Sequence, residues 1–153
     1  MRLKLWVVAL VAAAGAFFTG CDSKKELTPK NYYSFKLDTT VYRSNATEAA
    51  ISKDSVTGRQ QLVVDGVTNN FLQHMELTIV FPDSVKAGKY TTGVLLTLMD
   101  IQEKQTGYYS KDQAITVNLT SINSKYAEGT FSGTLTNGEI EKPLTDGTFK
   151  VTF

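Results

Sequence analysis

The side chains able to do covalent or acid–base chemistry are few. His74 is the only histidine and Cys21 the only cysteine of the 153 residues. A Ser–His–Asp arrangement has members to choose from, but no Gly-x-Ser-x-Gly elbow lifts a serine clear of a strand. Zinc asks for three or four ligands, more than one His and scattered carboxylates supply. Glycoside hydrolysis needs paired carboxylates; Glu139 and Glu141 stand two apart on one strand face, beside Lys142 in a solvated hairpin setting. Asp100 closes the apolar run Val94–Met99 and is the carboxylate most open to desolvation. Asp65, Asp83 and Asp146 fall at expected turns, where calcium could draw oxygens, yet no Asp-x-Asp-x-Asp-Gly run frames them. Gly88-Lys89 lacks the rest of a phosphate loop, because Asp83 and Tyr90 hold the positions of its first Gly and its Ser/Thr. The expectation is a protein without catalytic residues, bound metal or cofactor.

Recognition by stacking is the remaining chemistry. Tyr32-Tyr33 and Tyr108-Tyr109 are adjacent pairs, and neighbouring strand residues point to opposite faces, so one ring of each pair should face outward. These four tyrosines are the candidate ligand contacts, for a glycan or a protein. The single Trp, Trp6, precedes Cys21, which leaves the rest of the chain without the broadest sugar platform. Beyond Cys21 the chain carries 14 Lys and Arg against 15 Asp and Glu. That balance offers no electrostatic basis for nucleic-acid binding.

The elements that must carry these residues are strands. Met75, Leu77, Ile79 and Phe81 alternate with Glu76 and Thr78, and Ile115, Val117 and Leu119, and again Phe149, Val151 and Phe153, alternate with polar neighbours. Period two is the mark of a half-buried strand. Val94–Met99 is nearly all apolar, which predicts a central strand covered on both faces. Asn45–Lys53 has the one helix-forming composition, though it reads equally as a strand. Asp65-Gly66, Asn137-Gly138 and Asp146-Gly147 are turn pairs, with Asn137-Gly138 the strongest hairpin signal. Pro82 and Pro143 should mark strand ends or an edge. Expected strands run 32–37, 60–65, 74–81, 93–101, 106–110, 114–121, 126–136, 138–142 and 147–153. About nine short strands predict an all-β fold, an antiparallel β-sandwich with a barrel as the alternative. Gly129-Thr130-Phe131 recurs as Gly147-Thr148-Phe149, too short for a repeat architecture but suited to two strands of one sheet.

The N-terminus has a different character. Residues 1–20 hold 15 apolar side chains, with Arg2 and Lys4 ahead of the apolar run Leu5–Phe18. This is a signal-peptide pattern, shorter than the ~20 residues a spanning helix needs. Its end, Phe18-Thr19-Gly20-Cys21, resembles the lipobox of bacterial lipoproteins, with Phe18 in place of the usual Leu. That resemblance implies lipidation of Cys21 and stable anchoring through several acyl chains. Residues 21–30 then form the lipidated Cys and a polar tether reaching roughly 30 Å at ~3.3 Å per residue. Residues 31–153 form a single β domain.

Lys86-Ala87-Gly88-Lys89-Tyr90-Thr91, Ala114–Leu119, Glu128–Leu135 and Leu144–Val151 follow one another in a recognisable order. This succession resembles small, uncharacterised lipoproteins of Bacteroidota-type bacteria, with Asp146 where Asn is commoner. The resemblance covers residues 80–153 and the lipobox. It implies a β-rich lipoprotein of the cell envelope, with the outer membrane ahead of the inner, and transfers no catalytic residue. The resulting expectation is a non-enzymatic binding or structural accessory module, with an immunity- or inhibitor-type lipoprotein second and a small hydrolase third. Replacing Cys21 by Ala should abolish metabolic labelling with a palmitate analogue and release the protein from membranes. Unchanged labelling refutes the lipobox.

Overall fold

The computed structural model describes residues 30–153; Cys21, the signal segment and the tether up to residue 29 lie outside the described residues. Eleven strands follow in order: β1 (Tyr32–Leu37), β2 (Thr40–Ser44), β3 (Ala46–Lys53), β4 (Gln60–Val67), β5 (Gln73–Val80), β6 (Gly88–Tyr90), β7 (Val94–Asp100), β8 (Gln105–Tyr109), β9 (Ile115–Ile122), β10 (Tyr126–Asn137) and β11 (Ile140–Thr152). There is no helix among the described residues. All pairing is antiparallel.

Three of the breaks between strands are bends within one strand. Asn45 alone separates β2, which pairs with β1, from β3, which pairs with β4. Likewise β6–β7 and β8–β9 are the two sides of one long hairpin, since β7 pairs with β8 and β6 with β9. Ser110 fills the kink. Its N–H donates to the Leu96 carbonyl at 2.8 Å and its hydroxyl accepts from the Leu96 N–H at 2.9 Å. Eleven segments less three bends leave eight staves, each beside the next, and β11 returns to pair with β1. The sheet therefore curls into a nearly closed barrel. Its thinnest ladder is the single pair Thr136↔Tyr109 between β10 and β8.

Alternation explains the closure. Phe35 and Leu37, Leu62 and Val64, Met75, Leu77 and Ile79, Leu96 and Leu98, Ile115, Val117 and Leu119, Leu135, Phe149 and Val151 point inward and are buried. Eight staves enclose a space that side chains fill. Here Tyr33, Phe35, Phe131 and Phe149 form a ring cluster with centroids 5.8–6.4 Å apart along successive pairs. Phe81 and Tyr90 meet edge to face at 5.4 Å below them.

The all-β antiparallel class is as expected, and of the two architectures weighed the ladders draw the barrel. Several local expectations need correction. Asp65-Gly66 is no turn but lies within β4, where Gly66 lets the Tyr33 ring approach; a Cβ there would stand 3.0 Å from that ring. Asp146-Gly147 lies inside β11, so the strands expected at 138–142 and 147–153 are one. Its left-handed Asp146 (φ 55°) supplies a bulge, and the register slips by one residue there against both β10 and β1. Pro143 is also interior to β11. Its carbonyl accepts from Asp38 N–H at 2.8 Å, so its missing N–H faces the turn where β1 ends. Asn45–Lys53 is mostly strand β3. The hairpin expected around Asn137-Gly138 is present, with Gly138 and Glu139 as its two turn residues and Asn137 closing β10 opposite Ile140.

The Gly-Thr-Phe echo has a structural reason. β10 and β11 bring the two copies into antiparallel register, so Gly129 faces Phe149 and Gly147 faces Phe131. Each ring lies over the other copy's glycine. A Cβ on Gly147 would meet the Phe131 ring at 2.6 Å, and one on Gly129 the Phe149 ring at 3.1 Å.

Asn31 fastens the seam. Its side-chain N–H donates to the Thr47 carbonyl of β3 (3.0 Å), and its oxygen accepts from the Thr152 N–H (3.0 Å) and hydroxyl (2.8 Å) of β11. Asn31→Ala removes all three bonds and is expected to cost about 1–3 kcal/mol in urea unfolding. Asn31→Asp keeps the acceptor and should lose less. Equal stability of all three proteins refutes the role of this residue as a seam fastener.

Candidate functional site

Strand directions give the barrel two distinct ends. The turns 38–39, 68–72, 101–104 and 138–139 gather at one, the connections 54–59, 81–87 and 123–125 at the other. The second end is plugged by Phe81 and Tyr90, whose hydroxyl donates to the Lys86 carbonyl at 2.7 Å. Lys30 and Asn31, where the described chain begins, lie on the wall toward this plugged end.

The first end is open at its side. At Asn45 the chain passes from β2, paired with β1, into β3, paired with β4, and the divergence of β2 from β4 opens a wedge against the β4–β5 turn. A pocket of about 320 Å³ occupies the wedge, lined among others by Thr40, Tyr42, Arg43, Asn69, Asn70 and Gln73. The Asn69 side-chain oxygen accepts from Asn45 N–H, and that of Asn70 from the Thr68 hydroxyl and Leu72 N–H. Both amides therefore have their NH2 groups left as donors. Among the described residues no carboxylate lines the pocket.

Tyr42 joins this pocket to the barrel mouth. Its ring stacks on Phe35 with centroids 5.1 Å apart and planes at 14°. Across the mouth, Lys142 lies 5.0 Å above the Tyr108 ring. Hydrogen bonding to the Tyr108 hydroxyl is the main cause holding the Lys142 ammonium above its ordinary range. Burial raises the Tyr42 phenol, an effect opposed by Lys142 and reinforced by Tyr108. At the rim, Phe71 has a left-handed backbone (φ 59°) and is 73% exposed, an unusual conformation for so large a side chain.

The expected site residues distribute unevenly. Cys21 lies outside the described residues. Within each tyrosine pair one ring faces out, as alternation requires: Tyr32 and Tyr109 outward, Tyr33 and Tyr108 inward. Tyr33 is 1% exposed, and its hydroxyl donates to the Gly66 carbonyl at 3.1 Å, so it serves the core and not a ligand. Tyr108 reaches the mouth. Tyr109 is 41% exposed on the outer wall, and Tyr32 opens β1 far from both. Sequence reasoning missed Tyr42, Arg43 and Lys142. A readable trace existed, since Lys142 stands two residues before inward Leu144 and Tyr42 belongs to the short run Thr40–Ser44.

The candidate acid–base groups do not converge on a cleft. His74 and Asp65 are adjacent across β5 and β4 on the outer wall, Nε2 to Oδ1 2.7 Å. Asp100 spends its Oδ1 on the N–H groups of Gln102 and Glu103 in the β7–β8 turn. Glu139 lies in a turn, off the strand, and Glu141 pairs with Lys111 at 2.7 Å. Among the described residues no three His, Cys, Asp or Glu side chains are grouped to hold a metal ion. No family model, curated protein or solved structure matches the chain.

Tyr33 makes a pH prediction. Burial pushes its phenol well above the ordinary value of 10, with the charge of Asp65 adding to the effect. The folded state therefore keeps its proton where the unfolded chain releases one, so stability falls as pH rises beyond 10. Urea midpoints should drop between pH 10 and 11.5, and less steeply in Tyr33→Phe. Identical slopes contradict the burial.

Proposed function

We propose that the protein is a lipid-anchored lipoprotein of the bacterial cell envelope whose barrel is a non-enzymatic binding module. The carrying observation is polarity of build: the described chain enters toward the plugged end, while the Tyr42 pocket and the mouth occupy the other. An anchor at Cys21, held by a short tether, then presents the pocketed end away from the membrane. The filled interior leaves no room for an enclosed ligand, so binding belongs to the rim. Tyr42 offers a ring face, and Arg43 with the Asn69 and Asn70 amides offers donors. That combination suits a hydroxyl-rich ligand such as a glycan.

Amide-shift mapping with a panel of neutral and acidic oligosaccharides tests this. Shifts should cluster at Tyr42, Arg43, Asn69, Gln73 and Lys142, and Tyr42→Ala with Arg43→Ala should weaken binding at least tenfold. Shifts confined to other surfaces, or cleavage of the glycan, overturn it.

An immunity- or inhibitor-type role is the second reading. One observation favours it: among the described residues β3 pairs only with β4, so the backbone beyond Thr47 offers an edge to an incoming strand.

A further inference from the structure

The outer wall formed by β3, β4, β5 and β7 has a composition that neither pocket nor core explains. Register places its outward residues in rows across the strands. One row reads Ala50–Val63–Thr78–Leu95, the next Glu48–Asp65–Glu76–Thr97, and the next Ala46–Val67–His74–Met99. Three carboxylates thus stand directly opposite one another on successive strands, between two rows that are mostly apolar. Directly opposed side chains lie roughly 4.5–5.5 Å apart at Cβ, and like charges so placed destabilise a sheet. His74, bound to Asp65, is the only potential cation in the three rows. Glu76 receives just a 3.5 Å contact from the Thr78 hydroxyl.

The apolar rows are equally uneconomical. Leu95 is 53% exposed and Met99 36%. They are the outward half of Val94–Met99, the run that reads as a strand covered on both faces. The barrel covers Val94, Leu96 and Leu98 and leaves the other half bare, which corrects that expectation. A sheet face with a central acidic row and apolar flanks is complementary to a segment carrying cations between apolar side chains. It is not complementary to itself. A two-fold dimer through this face would bring the acidic rows together.

We propose that this wall is the docking surface for a cationic, amphipathic segment of a protein partner, its Lys or Arg side chains meeting Glu48, Asp65 and Glu76 and its apolar ones covering Leu95 and Met99. This rests on the binding-module reading in its protein-partner form and is independent of the pocket.

The full chain reconstituted in phosphatidylcholine nanodiscs, with empty discs as blank, is titrated with three synthetic twelve-residue peptides built on Lys-Lys-Leu-Leu, Lys-Lys-Ser-Ser and Glu-Glu-Leu-Leu repeats (Lys-Leu, Lys-Ser and Glu-Leu), which place both residue types on each face of an extended chain. Lys-Leu should bind saturably at one to one, at least tenfold tighter than Lys-Ser, with no binding of Glu-Leu. Glu48→Gln with Glu76→Gln should weaken Lys-Leu at least tenfold, and Leu95→Ser with Met99→Ser about fivefold. Glu141→Gln, remote at the pocketed end, should change nothing. Equal binding of Lys-Ser and Lys-Leu, or an equal effect of Glu141→Gln, reduces the face to general charge attraction and overturns the proposal. Glu76→Gln alone should also raise the melting temperature by relieving the opposed charges; a lower one contradicts the premise of a strained row. If this binding fails while pocket shifts persist, only the wall proposal falls.

Discussion

The pairing of the first strand with the last is the constraint from which the rest of the molecule follows. A meander of antiparallel strands ends with two bare edges, and here each of β1 and β11 covers the other. Asn31 adds β3 to the junction by spending its whole side-chain amide on two strands at once. Closure forces inward side chains onto one axis, which is why small residues must alternate with rings. Gly129 and Gly147 accept the rings of Phe149 and Phe131 because no Cβ stands in the way. A packed axis in turn drives recognition to the outside of the barrel.

That outside is two different surfaces. Across β9, β10, β11, β1 and β2 a single row reads Asn118–Thr130–Thr148–Ser34–Arg43, hydroxylated and evenly polar. Nearby Lys150 and Glu128 compensate one another at 3.2 Å. The opposite wall concentrates three carboxylates between mostly apolar rows, with His74 on Asp65 the one ion pair among them. A surface selected for solubility alone would mix these features, with both signs of charge interspersed. Their separation argues that the two walls meet different surroundings.

Much of this architecture was legible before any coordinates. Period two placed most strands to within a residue or two, because one face of each is core and the other is water. Where reading failed, a local signal served a distant need. Asp65-Gly66 and Asp146-Gly147 carry hairpin chemistry, yet the first glycine admits Tyr33 from another strand and the second pair makes a bulge that bends β11. Only the partner strand reveals such uses. Val94–Met99 misled in the opposite way: its two apolar faces were real, but the chain itself covers one of them. The candidate site was less legible than the fold. Tyr108 was among the candidates named, but Tyr42 and Lys142 come from strands far apart in sequence, β2 and β11. Their meeting depends on the bend at Asn45, which composition does not announce.

The position of β1 also decides how the protein bears load. Any pull applied through the chain before Lys30 acts nearly along the axis of β1, which is flanked by β2 on one side and β11 on the other. Both ladders, with five residue pairs each, are then loaded together in shear. Bonds strained in parallel share a force that would open a hairpin one pair at a time from its tip. Asn31, at the point of entry, takes the first strain and passes it into β3 and β11 as well. A pull of this kind thus spreads over two ladders at once, and the thinnest ladder, between β8 and β10, lies elsewhere in the circuit, away from the direct path of that force.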